Sequence, residues 1–395
     1  MPTSSNPGAF KDLLAAALPE LLALRHDIHQ HPELGFDEHR TQGVVMEWLK
    51  ERGYEPRQCA GTGVVADLNP GKATLLALRA DLDALPIQED LDLPYRSVHD
   101  GVSHKCGHDG HTTILLAVAH LLAERRAELD CNVRLVFQPA EEGVDGGGAK
   151  VMIEEGVLDG VPEMYGLHNW PGFPKGSLRV VGGATMAAVD TIHLLLRGRG
   201  GHGSQPQTCR DPIVAGAQIV TAVQTVVSRG LSALESGVVS FGSFQAGGAD
   251  NVIPSVAELT GSIRTLNPGV RDRVHARLRG LVEGMGPALG VQVDLRINPE
   301  YPVLVNDSAC AEVVARVASK LGFEVSDEQL PLLASEDFAF FANEIPSAYF
   351  FLGAGVEGQD TPGCHHPDFD FDDDLIAKGA SVFMGLLEDR LAASR

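Results

Sequence analysis

Residues 104–143 read HKCGHDGHTTILLAVAHLLAERRAELDCNVRLVFQPAEEG, and the fold turns on how that run divides. Thr112 to Arg126 is a long apolar stretch, which predicts a buried helix. Asn132 to Gln138 is short and apolar and is closed by Pro139, as a buried strand would be. Upstream, Val64–Leu68 and Thr74–Arg79 read as strands. Lys11 to Arg25 and Arg40 to Arg52 carry helical spacing around the polar stretch HDIHQHPELGFDE, which is broken at Pro32 and Gly35. Helices alternating with buried strands predict an α/β layer covered by helices on both faces.

The pattern changes near residue 187. Val189–Arg197, Val238–Gln245, Ala257–Thr265 and Val291–Ile297 alternate as half-buried strands do. Pro212 to Arg229 and Val270 to Leu289 are helical. The order β-α-β-β-α-β is that of a ferredoxin-like module. After about residue 300 the α/β style returns, with a helix at Ser308–Leu321, a strand at Ala348–Leu352 and a closing helix from Asp374. The expected organisation is therefore a discontinuous α/β domain, 1–186 with 300–395, interrupted by a smaller α+β domain, 187–299.

Bulk properties narrow the function. The chain has 395 residues, 44% hydrophobic and 21% charged, as a soluble globular protein has. Asp and Glu exceed Lys and Arg by 53 to 31, a formal charge of −22, which argues against nucleic acid or anionic membrane as a partner. An anionic small molecule would need a local cation. Nothing in Met1 to Phe10 looks like a signal peptide, and no apolar run approaches the roughly 20 residues that span a bilayer. Six cysteines without a CxxC pair read as reduced thiols, so a cytoplasmic location is expected.

Four segments carry chemistry. In HKCGHDGH (104–111), Cys106 and His108 flank a glycine that lets both face one ion. Asp109 is a candidate to hold a ligand imidazole in one tautomer, and His111 either does the same or is structural. In FQPAEEG (137–143), Glu141 and Glu142 follow directly on a buried strand, where α/β sheets place their sites. Adjacent side chains diverge, so one can bind a metal while its neighbour reaches a water. His168 lies in YGLHNWP (165–171), and His365 and His366 in CHHPDFDF (364–371). Asp81 and Asp83, at the end of LRADLDALP (78–86), could orient a ligand histidine, or Asp83 could cap a turn. Together these segments supply Cys, His, Glu, His and His at strand ends or turns, which chance does not readily produce. GRGGHG (198–203) satisfies G-x-G-x-x-G, but no helix begins within it, so a dinucleotide site is excluded.

With CGHDGH, QPAEEG, GLHNWPG, RGRGGHGSQP, NVIP, GSIRT, ASEDFAFF and HHPDFDFDD in this order, the chain resembles the M20 metallopeptidases. The likeness is to their amidohydrolase branch, which holds hippurate hydrolases and N-acyl-amino-acid amidohydrolases. The resemblance implies two divalent ions, Zn or Mn with Co or Ni as alternatives, held by Cys106, His108, Glu142, His168 and His365. It implies Glu141 as general base and then acid. Arg79 stands where other branches carry a ligand histidine. Asn251 and Arg264 match residues around the substrate carboxylate, and His202 matches a histidine that reaches the neighbouring subunit's site. The inserted module would be a lid and dimerisation domain, in a homodimer or homotetramer. The expected reaction is hydrolysis of N-acyl or N-aroyl L-amino acids to a carboxylic acid and a free amino acid. The alternatives are a dipeptidase or aminopeptidase with the same two-metal chemistry, and a non-catalytic metal-dependent binding protein.

Overall fold

The computed structural model describes residues 7–143 and 146–393, and the chain divides into two compact units. The larger contains Met1–Gly183, Val305–Leu330 and Asp337–Arg395, and the smaller Ala184–Leu304 with Pro331–Glu336. These limits fall a few residues from those expected, at 183/184 and 304/305. Residues 331–336 belong to the smaller unit because their backbone bonds to it: the Leu332 amide donates to the Thr185 carbonyl (3.0 Å) and that of Ala187 to the Ala334 carbonyl (2.9 Å).

The larger unit is built on an eight-stranded sheet. Its centre is four parallel neighbours, Asn132–Gln138, Thr74–Asp81, Met164–Pro174 and Ser347–Gly355. Val133, Leu135, Phe137, Leu76, Leu78, Tyr165, Phe350 and Leu352 are wholly or almost wholly buried, as strands covered on both faces must be. The helix His108–Glu124 has nearly every residue through Leu122 buried, packed against the helices Pro7–Gln30 and Asp374–Ala393 as well as the sheet. Apolar character all round, rather than on one stripe, marks a central helix. Two elements run longer than the sequence suggests. The first helix continues to Gln30, carrying Arg25, His26 and His29 into the protein. The strand bearing His168 passes through Pro171 to Pro174.

Register brings the chemistry to one edge. Asp81 pairs with Gln138, and the next strand pairs Arg79 with Gly166, so Asp81 and Glu141–Glu142 fall at or beyond the carboxyl ends of their strands, and His168, within a strand that runs on to Pro174, lies two residues past the last pair with Arg79. Gly107 precedes the central helix at φ +96, and a Cβ there would lie 2.2 Å from Asn169 Oδ1. Only glycine fits that entry turn.

In the smaller unit the strands Gly237–Ala246, Val256–Thr265, Ala188–Arg197 and Gln292–Pro299 lie side by side in that order, all antiparallel. The helices Pro212–Ser228 and Pro268–Ala288 complete the ferredoxin-like arrangement. Ile192, Leu194, Leu196, Ile219, Val223, Leu259 and Leu278 form its core. Among the described residues no helix is long and apolar enough to cross a membrane.

Candidate metal centre

His168 shows how the donors are prepared. Its Nδ1 lies 2.5 Å from the carbonyl oxygen of Asn169. A carbonyl only accepts, so Nδ1 carries the proton and Nε2 keeps its lone pair. That Nε2 is 3.3 Å from Cys106 Sγ. Burial, with the nearby His111, keeps the His168 pKa well below the imidazole range, which leaves the ring neutral. His108 is fixed the same way from a different side: Nδ1 meets Asp83 Oδ1 at 3.2 Å. Its Nε2 is buried without a hydrogen-bond partner, 3.8 Å from Glu142 Oε1 and 4.0 Å from Glu141 Oε2. Glu142 Oε1 is likewise buried without a hydrogen-bond partner, and His365 Nε2 stands 3.2 Å from it.

The structure thus brings Cys106, His108, Glu142, His168 and His365 into one cluster, with Glu141 beside it. Donor atoms of Cys106, His108 and His168 form one group that could hold an ion, and those of Cys106, Glu142 and His365 another. His366 takes another direction: its Nδ1 accepts from the Asp368 amide at 3.1 Å. Unpartnered imidazole and carboxylate atoms facing each other out of water are costly unless a cation sits between them. Burial opposes a charge on His108, yet Asp81, Asp83 and Glu142 hold its pKa well above the ordinary imidazole value. A divalent cation held there would take over the role of that proton. The donor set fits metal ions.

The supporting residues differ from those expected in two respects. Asp109 does not orient His108; it accepts from Arg25 Nε at 3.1 Å and from His29 Nδ1 at 2.8 Å. One helical step of 100° turns it from the donor side to the helix Pro7–Gln30. The carboxylate on His108 is Asp83, whose Oδ2 also accepts the Glu142 amide at 2.9 Å. Asp81 instead meets His111 Nδ1 at 2.7 Å and takes Arg79 Nη1 at 2.7 Å. Since the Asn169 amide donates to His111 Nε2 at 3.0 Å, both nitrogens of His111 are engaged, and its part is structural. Arg79 is wholly buried and also bonds Asp337 at 3.1 Å and Gln138 at 2.8 Å, so it cannot serve as a donor.

Sequence reasoning missed Glu38, Glu89, Lys105, Arg25 and His29. Buried Glu38 accepts the Ala140 amide at 2.8 Å, where Ala140 takes φ +52. Burial first, then Asp83, pushes its carboxyl up to about 7. Arg25 closes an apolar helical run, but His29, Glu38, Glu89 and Lys105 lie in polar stretches where nothing in the sequence marks them as buried.

In the smaller unit, Val252 pairs with His202 and the Gly203 amide donates to the Asn251 carbonyl at 2.8 Å, which sets His202 and Asn251 close together. His202 Nδ1 accepts from the Ser204 amide at 3.1 Å, so Nε2 carries the proton as a free donor. Arg264 is half-buried. Its Nη1 donates to the Leu333 carbonyl at 2.9 Å and to Ser335 Oγ at 3.4 Å. Burial alone lowers its pKa, and among the described residues no ion pair to a carboxylate offsets it.

A buried cluster of thiol, imidazole and carboxylate donors at the carboxyl edge of a parallel sheet defines a metal-dependent hydrolase. Residues 77–389 match the model of peptidase family M20/M25/M40, and the chain belongs to that family, in its amidohydrolase branch, whose members cut linear amides. N-acetylcysteine deacetylase of Bacillus subtilis (strain 168) is 40% identical over 370 residues, covering 93% of this chain and 95% of that protein. Hippurate hydrolase of Campylobacter jejuni is 40% identical over 382 residues, covering 93% and 98%. A solved structure from Bacillus subtilis, described as a dinuclear metal binding peptidase from M20 family, is 36% identical. It matches at TM-score 0.79 over 94% of this chain and 98% of that one.

Proposed function

We propose that the enzyme hydrolyses N-acyl or N-aroyl L-amino acids to a carboxylic acid and a free amino acid. The observation that carries the reading is the pair of buried atoms His108 Nε2 and Glu142 Oε1, neither with a hydrogen bond among the described residues, with Glu141 beside them. Cys106, His108, Glu142, His168 and His365 would hold two divalent ions, and thiol with imidazole suits Zn²⁺ while availability can install Mn²⁺. When bound, such ions polarise an amide carbonyl and acidify water. Glu141 takes the proton from the attacking water and returns it to the leaving nitrogen. Among the described residues Arg264 pairs with no carboxylate, and it meets the substrate's carboxylate, assisted by Asn251. His202 Nε2–H steadies the carbonyl oxygen, across a subunit boundary in a homodimer or homotetramer in which the smaller unit is lid and interface. Two relatives named for N-acetylcysteine and hippurate support the substrate class. Six free cysteines agree with a cytoplasmic setting.

The test is a panel of N-acetyl and N-benzoyl amino acids against Gly-Gly and Ala-Ala. The acyl amino acids should turn over at least ten times faster. Preference for the free dipeptides would replace the reading with a peptidase.

A further inference from the structure

His365 is the donor least held by its own surroundings. Its side chain is 52% exposed, it sits at φ +68, and residues 360–372 form neither helix nor strand. A left-handed conformation is strained for a non-glycine residue, so something else must keep that backbone in place. His168, by contrast, lies within a strand and fixes its own ring.

The other side of the contact is Lys105, which immediately precedes Cys106 and is wholly buried. Its carbonyl accepts the His365 amide at 2.6 Å. Its Nζ donates to the Phe369 carbonyl at 2.8 Å and to Glu89 Oε1 at 2.7 Å. Glu89 is itself fixed by the Ser97 amide at 2.8 Å and by His29 Nε2 at 3.1 Å. Taking an ammonium out of water costs several kcal/mol unless it is fully paired, and a methionine would fill the same space without that cost. What the ammonium adds is a fixed link from the Cys106 loop to the irregular segment that carries His365.

We propose that Lys105 is a positioning residue: held between Glu89 and the Phe369 carbonyl, it docks the 364–371 segment and thereby sets how tightly Cys106, Glu142 and His365 hold their ion. The inference rests on the two-ion reading given above. The other donor group, with His108 and His168, shares Cys106 but takes no donor atom from that segment.

The test titrates Zn²⁺ or Mn²⁺ alone into metal-free protein against a competing chelator, and records metal-free melting temperatures alongside. Wild type should take up two ions. Lys105→Met should keep one at wild-type affinity and weaken the other about 10- to 100-fold. The double variant Lys105→Met/Glu89→Gln leaves no unpaired carboxylate, so it serves if the single variant does not fold, with the same result expected. In a His365→Ala background Lys105→Met should add no further loss, whereas a merely structural role would act additively. Two ions at wild-type affinity in the variants, or equal weakening of both, would overturn the proposal. Fewer than two ions in wild type would overturn the two-ion reading and the proposal with it, and that failure shows in the wild-type trace alone.

Discussion

The donors of the larger unit and the recognition candidates of the smaller are held in opposite ways. His108 and His168 are buried, each with one ring nitrogen bonded to a fixed acceptor and the other left for a cation. His202 and Asn251 are exposed, the first on a two-residue ladder and the second just before the strand that pairs with it. Buried donors cannot wait for a solvent-driven rearrangement, so rigid strands and carboxylates set them beforehand. Exposed donors on a loop can adapt to a ligand once it arrives. Under the proposed function, the first arrangement serves the chemistry and the second the selection of substrate.

That contrast can be broken at several points. Glu141→Gln should lower kcat by about 10²- to 10⁴-fold with metal content unchanged; near-normal turnover would remove Glu141 from its role. Arg264→Ala should cost on the order of 10- to 100-fold in kcat/KM, as expected for a hydrogen bond to a charged group. The loss should vanish for substrates whose carboxylate is an amide, so an equal loss on both would make Arg264 structural. Asp83→Asn should weaken ion binding by about tenfold or more in chelator competition, because the amide NH2 replaces one of the two oxygens that accept from His108 Nδ1 and from the Glu142 amide.

The smallest effect concerns pH. Burial opposes a charge on His29, but hydrogen bonds to Asp109 and Glu89 outweigh it and raise its pKa from 6.5 to about 9. The folded state thus binds that proton more tightly than the unfolded chain does. The stabilisation is complete below pH 6.5 and is lost as pH rises through 9. For metal-free protein this amounts to on the order of 3 kcal/mol. His29→Gln should flatten the slope of melting temperature over that interval; an unchanged slope would place its origin elsewhere.

Much of this was legible in the sequence because it is local. The central helix and its flanking strands are unbroken apolar runs, and cysteine, histidine and paired glutamates stand out at their ends. Direction was not legible. Asp109 lies one residue from His108 but a helical step turns it away, whereas Asp83, 25 positions distant, reaches that ring. His365 and His366 are chemically equal in the sequence; the left-handed backbone at His365 distinguishes them. Lys105 was hidden because its partners Glu89 and Phe369 are 16 and 264 positions away.

The central claim is that this cluster works only with its ions. Protein stripped by chelator, verified free of metal, should not hydrolyse an N-acetyl or N-benzoyl amino acid. Activity should return as Zn²⁺ or Mn²⁺ is added, levelling at two ions per chain. Full activity in the stripped protein, or recovery complete at a single ion, would contradict the account.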